Sequence, residues 1–287
     1  IANKIKKEFP HAQFLFTKYP SHASKLAKEL ALKKADYIIG VGGDGTLHEI
    51  INGLFNNKKS LHPSLTLGYI PSGTGQDFSR NFSYPNNLTQ TLDALKNRKT
   101  LSCDIAYIEV HNSSNKKKEY YFINCCSVGL GAYAAKIANA KNKILGARLS
   151  YLRSILQAIF VCKPTKVAIV RNKSQTPLIK NINNISIANG CYVGGGLYIA
   201  PHAKVSDGFF DMITFEDMNK LELLRHLPRA YSGKHLELDK VSEEKSQSLT
   251  IVPQSNETVF VEADGEYIGK LPIKVEVLKK AVLFVRP

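Results

Sequence analysis

An α/β domain followed by an all-β, sandwich-like domain is the fold class this sequence predicts, on three observations. Helical and strand patterns alternate up to about Cys103, strand-type runs dominate after Asp104, and two glycine-rich turns each stand between a strand and a helix. A chain of 287 residues can bury two modest cores. The boundary is therefore placed at residue 104, giving an α/β domain over 1–104 and a β-sandwich over 105–274, with 275–287 available to return to the first.

Each element has its own justification. Ser21 to Lys33 places Ala23, Leu26, Ala27 and Leu30 on one helical side, and Leu88 to Asn97 repeats the pattern. Asp36 to Val41 and Leu65 to Ile70 are short apolar runs suited to buried parallel strands, followed by helices over Leu47 to Phe55 and from Phe78. Strand-type runs then cover 105–110, 119–131, 166–172, 179–193, 209–215, 248–253, 258–269 and 273–278, separated by turn-forming stretches such as NSSNKKK and PQSNE. Helices interrupt them over Gly146 to Cys162 and near Leu221 to Tyr231.

Gly42-Gly43-Asp44-Gly45-Thr46 carries the first chemical signal. Glycine amides approach an anion closely and the following helix presents its positive end, so the turn suits phosphate, yet a bare carboxylate inside it would repel phosphate. A divalent cation reconciles the two, since Mg²⁺ is held by a carboxylate together with phosphate oxygens. A metal-bound nucleotide, and hence phosphoryl transfer, is the reading. No GxxxxGK[ST] loop is present. A lone glycine turn could simply reverse the chain, but a second, Pro71-Ser72-Gly73-Thr74-Gly75-Gln76-Asp77, follows one βα repeat later. In a right-handed parallel arrangement both turns open on the same sheet edge, so Asp44, Thr46, Ser72, Thr74 and Asp77 would face one site.

The charge is +15, and no Asp or Glu occurs from Tyr120 to Ser206. Within that window the 146–162 helix sets Leu152, Ile155, Leu156, Ile159 and Phe160 beside basic residues. It reads either as a core-facing helix with a solvated flank or as an interfacial one, where each Lys or Arg near an anionic leaflet gains about 1 kcal/mol. Nucleic acid is not expected, because the window lacks interleaved aromatic platforms. No apolar run approaches the ~20 residues of a membrane span, and the first residues lack signal-peptide character. The five cysteines have no metal-like or disulfide-like spacing and read as reduced and cytosolic.

Two polar spots in the second half admit chemistry. Asp264-Gly265-Glu266 places two acids close enough to tune each other for proton transfer, although alone it is a common hairpin turn. Lys204 to Phe209 is a turn where Asp207 and backbone carbonyls could hold a hard cation, or an ordinary Asx turn.

Taken together, GGDGTLHEIINGL (42–54), PSGTGQDFSR (71–80), ANGCYVGGGLYIAPHAKVSDGFFD (188–211) and ADGEYIGKLP (263–272) resemble the diacylglycerol kinase catalytic family, and more closely its bacterial soluble lipid kinases. The resemblance implies a lipid kinase with an NAD kinase-like two-domain architecture, transferring the ATP γ-phosphate to a lipid hydroxyl with Mg²⁺. It assigns Thr17, Gly42, Gly43, Asp44, Gly45, Thr46, Leu47, His48 and Thr74, with Ser72 and Gly73 of the second turn, to the nucleotide. Asp44, Asp77 and Asp104 match acids that support catalytic Mg²⁺ through water. Asp207, with the main chain of Lys204 and Phe209, matches a structural cation site. Glu266 or Asp264 accepts the proton of the lipid hydroxyl, Glu266 being placed first. The family's opening strand and NPxSG-like phosphate turn have no counterpart from Ile1 onward, and His48 and Gln76 stand where Asn is usual. His48 is expected to donate to phosphate or ribose. The resemblance implies diacylglycerol or a related lipid as acceptor; the basic window adds contact with an anionic membrane at the inner, cytoplasmic face, and a homodimer is left open. An NAD kinase and an inactive lipid- or nucleotide-binding regulator are the alternative readings.

Overall fold

The computed structural model describes residues 2–82, 84–85, 87–111, 117–140, 147–172 and 174–286. Its first part comprises α1 (Ala2–Glu8), α2 (His22–Leu32), β1 (Tyr37–Gly42), α3 (Asp44–Leu54), β2 (Thr66–Pro71), α4 (Asp77–Arg80) and α5 (Leu88–Asn97). β3 (Thr100–His111), β4 (Lys117–Phe122) and β5 (Cys125–Gly129) lead into two helices, α6 (Leu130–Ala140) and α7 (Ala147–Val161). The chain continues through β6 (Thr165–Arg171), β7 (Leu178–Ala188), β8 (Phe210–Glu216), α8 (Lys220–His226), β9 (Val241–Ser246), β10 (Ser248–Pro253), β11 (Phe260–Ala263) and β12 (Glu266–Val285).

The α/β part follows from β1 and β2, which pair in parallel from Tyr37 with Thr66 to Gly42 with Pro71. Parallel neighbours need a covered crossover, and α3 supplies it by burying Leu47, Ile50, Ile51 and Leu54 against the sheet. Glu49, on the same helix, accepts the backbone N–H groups of Ser21 (2.8 Å) and Ala23 (3.0 Å), satisfying orphan donors at the start of α2. The strand-rich part packs Ile108, Phe122, Ile169, Ile185, Phe210 and Ile251 into its own core. Each such fully buried side chain contributes about 1.5–3 kcal/mol.

One strand joins the parts. β12 is 20 residues long; it runs antiparallel to β3, and Leu283 and Phe284 then pair in parallel with Thr66 and Leu67 of β2. The order β1-β2-β12-β10-β6-β7-β8-β9 therefore forms a continuous path within a 12-stranded sheet. An α/β first part and a strand-rich second part match the expected fold class.

The stretch 119–131, expected as strand, is instead β4, β5 and the start of α6. Gly129 adopts φ +98°, and a Cβ there would lie 2.6 Å from the Asn183 carbonyl oxygen, so the strand turns away at this glycine. The alanine-rich LGAYAAKIANA that follows has strong intrinsic helix preference, which its flanking strand-like run masks.

Candidate active site

The two glycine turns meet at backbone distance. A Cβ on Gly73 would lie 2.5 Å from the Gly43 Cα, and the Ser72 N–H donates to the Gly42 carbonyl at 2.8 Å. Asp44 opens α3 and reaches across to α4, its carboxylate accepting the N–H groups of Asp77 (3.2 Å) and Phe78 (3.3 Å). Burial raises its pKa, and those two donors offset the rise in part. Asp77 is buried as well: Oδ2 accepts the Gly195 N–H at 2.8 Å, Oδ1 has no hydrogen-bond partner, and burial pushes the carboxyl up to about 7. Glycine at 195, with φ +82°, allows this loop of the strand-rich part to approach the second turn.

The Asp264-Gly265-Glu266 turn links β11 to β12 and separates the surroundings of its two acids. Asp264 and Gly265 take φ +50° and +86°, which turns the chain tightly. The Asp264 carboxylate is saturated: it accepts N–H groups from Ile123 (3.1 Å), Asn124 (3.0 Å) and Cys125 (3.1 Å), and His48 Nδ1 lies 3.2 Å from Oδ2. Glu266 is exposed. Its Oε1 lies 3.6 Å from where a Cβ on Gly45 would stand, while the Asn139 amide donates to Oε2 at 3.2 Å and to the Gly265 carbonyl at 2.8 Å. Below them Glu262 accepts the Gly265 N–H at 2.7 Å, and burial pushes its carboxyl up to about 7.

A cleft of about 260 Å³ contains these groups. It is lined by Asp44, Gly45, Thr74 and Asp77 on one side and by Glu262, Asp264, Glu266 and Asn139 on the other. Gly43, Leu47 and Gly73 also line it, whereas Ser72 opens onto a neighbouring pocket with Gln76 and Arg80. Thr46 packs on Gly42, whose added Cβ would meet its Oγ1 at 2.3 Å, and Thr17 is exposed on the segment before α2. His48 is buried and faces Asp264, not open solvent. Burial alone would lower its pKa, but the bond to Asp264 and the charges of Asp264, Glu266 and Glu262 outweigh it and raise it. Tyr151 and Val193 border both this cleft and a small apolar pocket of about 90 Å³, walled by Ile155, Ile159, Leu197 and Leu227.

Asp104 is not among the cleft residues. Its carboxylate is fully buried and accepts the Gly208 N–H through Oδ2 and the Lys280 N–H through Oδ1, each at 2.6 Å. It thus braces the turn at 204–209 against β12. In that turn Asp207 Oδ1 accepts the Phe209 N–H at 3.1 Å and Oδ2 meets Lys245 Nζ at 2.6 Å. Asp211 beside it is buried with neither oxygen hydrogen-bonded, and burial pushes it up to about 6.

These donors suit Mg²⁺. Among the described residues no group of three or more His, Cys, Asp or Glu could chelate an ion directly. An ion that keeps most of its waters needs only one or two carboxylates, and Asp77 Oδ1, which has the Arg80 guanidinium at 3.7 Å but no hydrogen bond, is a buried acceptor that such a water would satisfy. At the other turn, Asp207 and Asp211 share Lys245, and the Lys279 ammonium also lies against Gly208.

Sequence reasoning passed over Glu49, Asn139, Tyr151 and Glu262. Glu262 had a partial signal, an acid two residues before Asp264 in the strand that leads into the turn. Asn139 and Tyr151 had none, because their roles depend on how α6 and α7 are laid over the hairpin.

The pattern of the diacylglycerol kinase catalytic domain matches residues 1–108, and that of the YegS C-terminal NAD kinase beta sandwich-like domain matches 124–286. A Bacillus subtilis protein provisionally named lipid kinase YtlR is 30% identical over 281 residues, covering 94% of this chain and 87% of its own. A diacylglycerol kinase of the same organism is 28% identical, covering 92% and 82%. Among solved structures, a provisionally assigned diacylglycerol kinase from Bacillus anthracis superposes with a TM-score of 0.75 at 26% identity, over 99% of this chain and 89% of that one. Yeast NADH kinase, at 13% identity, 88% of this chain, 62% of that one and a TM-score of 0.51, shares the fold. The chain belongs to the diacylglycerol kinase family of lipid kinases.

Proposed function

We propose that the protein transfers the γ-phosphate of ATP, in the presence of Mg²⁺, to the hydroxyl of diacylglycerol or a related lipid at the cytoplasmic face of an anionic membrane. The observation that carries this reading is the meeting of the two glycine turns with the Asp264-Gly265-Glu266 turn in one cleft. Backbone amides of the first turn and the start of α3 receive phosphate, and Thr74 lines the same wall. Bound Mg²⁺, supported by Asp44 and Asp77, would neutralise phosphate charge. Glu266 takes the proton of the acceptor hydroxyl; the freed oxygen bonds to the γ-phosphorus as its bond to the β-phosphate oxygen breaks, ADP leaves, and the proton passes to solvent. Asp264, saturated by its donors, holds the turn and faces His48 in place of acting as base.

A lipid acceptor is supported by the apolar pocket that shares Tyr151 and Val193 with the cleft. Membrane contact is supported by α7, which buries Ile155, Ala158 and Ile159 yet leaves Leu149, Leu156, Phe160 and Val161 exposed around Arg153. A cluster of exposed apolar side chains on the outer face of a helix suits a second apolar medium there. On α8 the adjoining Leu221 is 75% exposed, and Lys220 Nζ donates to the Phe160 carbonyl at 2.7 Å, binding the two helices into one surface. The test offers purified protein labelled ATP, Mg²⁺ and a panel of diacylglycerol, monoacylglycerol, a sphingoid base, phospholipids and NAD. Phosphorylation of a lipid is expected; phosphorylation of NAD alone would overturn the reading.

A further inference from the structure

We propose that Asn139 is a positioning residue for phosphoryl transfer, its side-chain amide locking the Asp264-Gly265-Glu266 turn and selecting Oε1 of Glu266 as the proton-accepting oxygen. The inference rests on Glu266 being the acceptor of the hydroxyl proton.

Glu266 stands at a tight turn with an exposed side chain, so nothing in its own strand fixes its carboxylate. Asn139 projects from the last turn of α6 and uses its amide group twice, donating to Glu266 Oε2 at 3.2 Å and to the Gly265 carbonyl at 2.8 Å. One hydrogen of the amide thus holds the backbone of the turn and the other holds the side chain. With Oε2 engaged, Oε1 is the oxygen left facing Gly45 and the first glycine turn, 3.6 Å from where a Cβ would stand there.

The helix that carries Asn139 is itself pinned to the same hairpin. Lys136, three residues earlier and so on the same side of α6, sits over the rings of Phe260 (4.1 Å) and Tyr267 (5.3 Å), which flank the turn on β11 and β12. Tyr133, a further three residues back, packs on the Phe260 ring at 5.6 Å. Tyr133, Lys136 and Asn139 therefore form one stripe laid along the hairpin, ending at the carboxylate. A stripe that grips strand residues at two points and the turn at a third fixes the height of the amide above the cleft. Preorganisation of this kind acts on the transition state, where placement of the accepting oxygen decides the rate, and leaves nucleotide affinity alone.

The experiment is a double-mutant cycle on the full chain with ATP, Mg²⁺ and a dispersed short-chain diacylglycerol. Asn139→Leu is expected to lower kcat by roughly 10- to 100-fold with KM for ATP and the melting temperature unchanged. Added to Glu266→Gln, the same change is expected to produce no further loss, because the two residues act through one oxygen. Asn139→Asp keeps the volume, replaces the donor by an acceptor facing the carboxylate, and should lose at least as much; it decides the matter if Asn139→Leu fails to fold. An unchanged kcat in either folded variant, or an equal fold-loss from Asn139→Leu in wild-type and Glu266→Gln backgrounds, would overturn the proposal. A fully active Glu266→Gln enzyme would instead remove Glu266 as acceptor, and the positioning role with it.

Discussion

Asp264 and Glu266 stand two positions apart, yet one is saturated by three backbone donors and a histidine while the other faces the cleft. Their substitutions should therefore separate. Glu266→Gln is expected to lower kcat by about 10²- to 10⁴-fold with an unchanged melting temperature. Asp264→Ala leaves buried N–H groups unpaired at roughly 1–3 kcal/mol each, so it should lower the melting temperature by several degrees as well. Equal thermal behaviour of the two variants would contradict the division of roles. Protonation gives a second prediction at this scale. Burial raises Asp77 and Glu262 to about 7 and Asp211 to about 6, and His48 is raised against its own burial by Asp264. A carboxyl raised in the folded state binds more protons there than when unfolded, so stability falls as pH climbs from its unfolded value to its folded one. A raised histidine loses its contribution in the same direction, as pH passes its folded value. Buried His235, whose pKa is lowered, opposes this trend below its ordinary value, but the raised groups outnumber it, so the melting temperature of the nucleotide-free protein should fall between pH 5 and pH 8; a flat or rising curve by scanning fluorimetry would refute the assignment. Asp44 was legible because a carboxylate inside a phosphate-type turn demands a reason. Asp104 was not, since the donors that hold it belong to Gly208 and Lys280, far away in sequence.

At the scale of elements, α7 is the helix with unfinished business on its outer face. Its basic and apolar character was visible in the sequence as an acid-free window, while periodicity alone could not say which side meets the core; the structure buries Ile155 and Ile159 and exposes Leu156 and Phe160. Of the arginines there, Arg153 is exposed, while the side chain of Arg148 lies outside the described residues. Arg153→Glu combined with Phe160→Ser should weaken binding to anionic vesicles and reduce turnover of bilayer diacylglycerol, with turnover of a dispersed short-chain lipid nearly unchanged. Equal loss on both substrates, measured side by side, would mean that the helix serves the fold instead. Salt should weaken vesicle binding in parallel, since exposed charges are screened within about 10 Å at 0.1 M. The glycine turns, by contrast, could be read without tertiary context, because strand, turn and helix are adjacent in the chain. α6 was hidden by the same locality: VGLG continues a strand pattern up to Gly129, and only that residue's positive φ ends it.

For the whole molecule, the turn at 204–209 brings Asp207 and Asp211 to Lys245, while Asp104 ties that turn to the return of β12. If a hard cation completes this corner, added Mg²⁺ should raise the melting temperature of the wild type and not of Asp207→Ala, because a ligand bound only by the folded state stabilises it. Identical Mg²⁺ shifts in the two proteins would place the effect elsewhere. The broad two-part division was legible because alternating and strand-only patterns differ in period, but the joint between the parts was not. That joint, β12, also sets the order in which the chain can acquire its shape during synthesis. The partner that β2 needs on its inner side is Leu283 and Phe284, more than two hundred residues downstream, so the α/β part leaves the ribosome with an open strand and cannot close its sheet until those two residues emerge. Contacts of such long sequence separation are slow to form and leave an edge able to pair with other chains meanwhile. Folding of the first part is thereby tied to completion of the second: released fragments that stop before residue 266 should aggregate instead of accumulating as a free α/β domain.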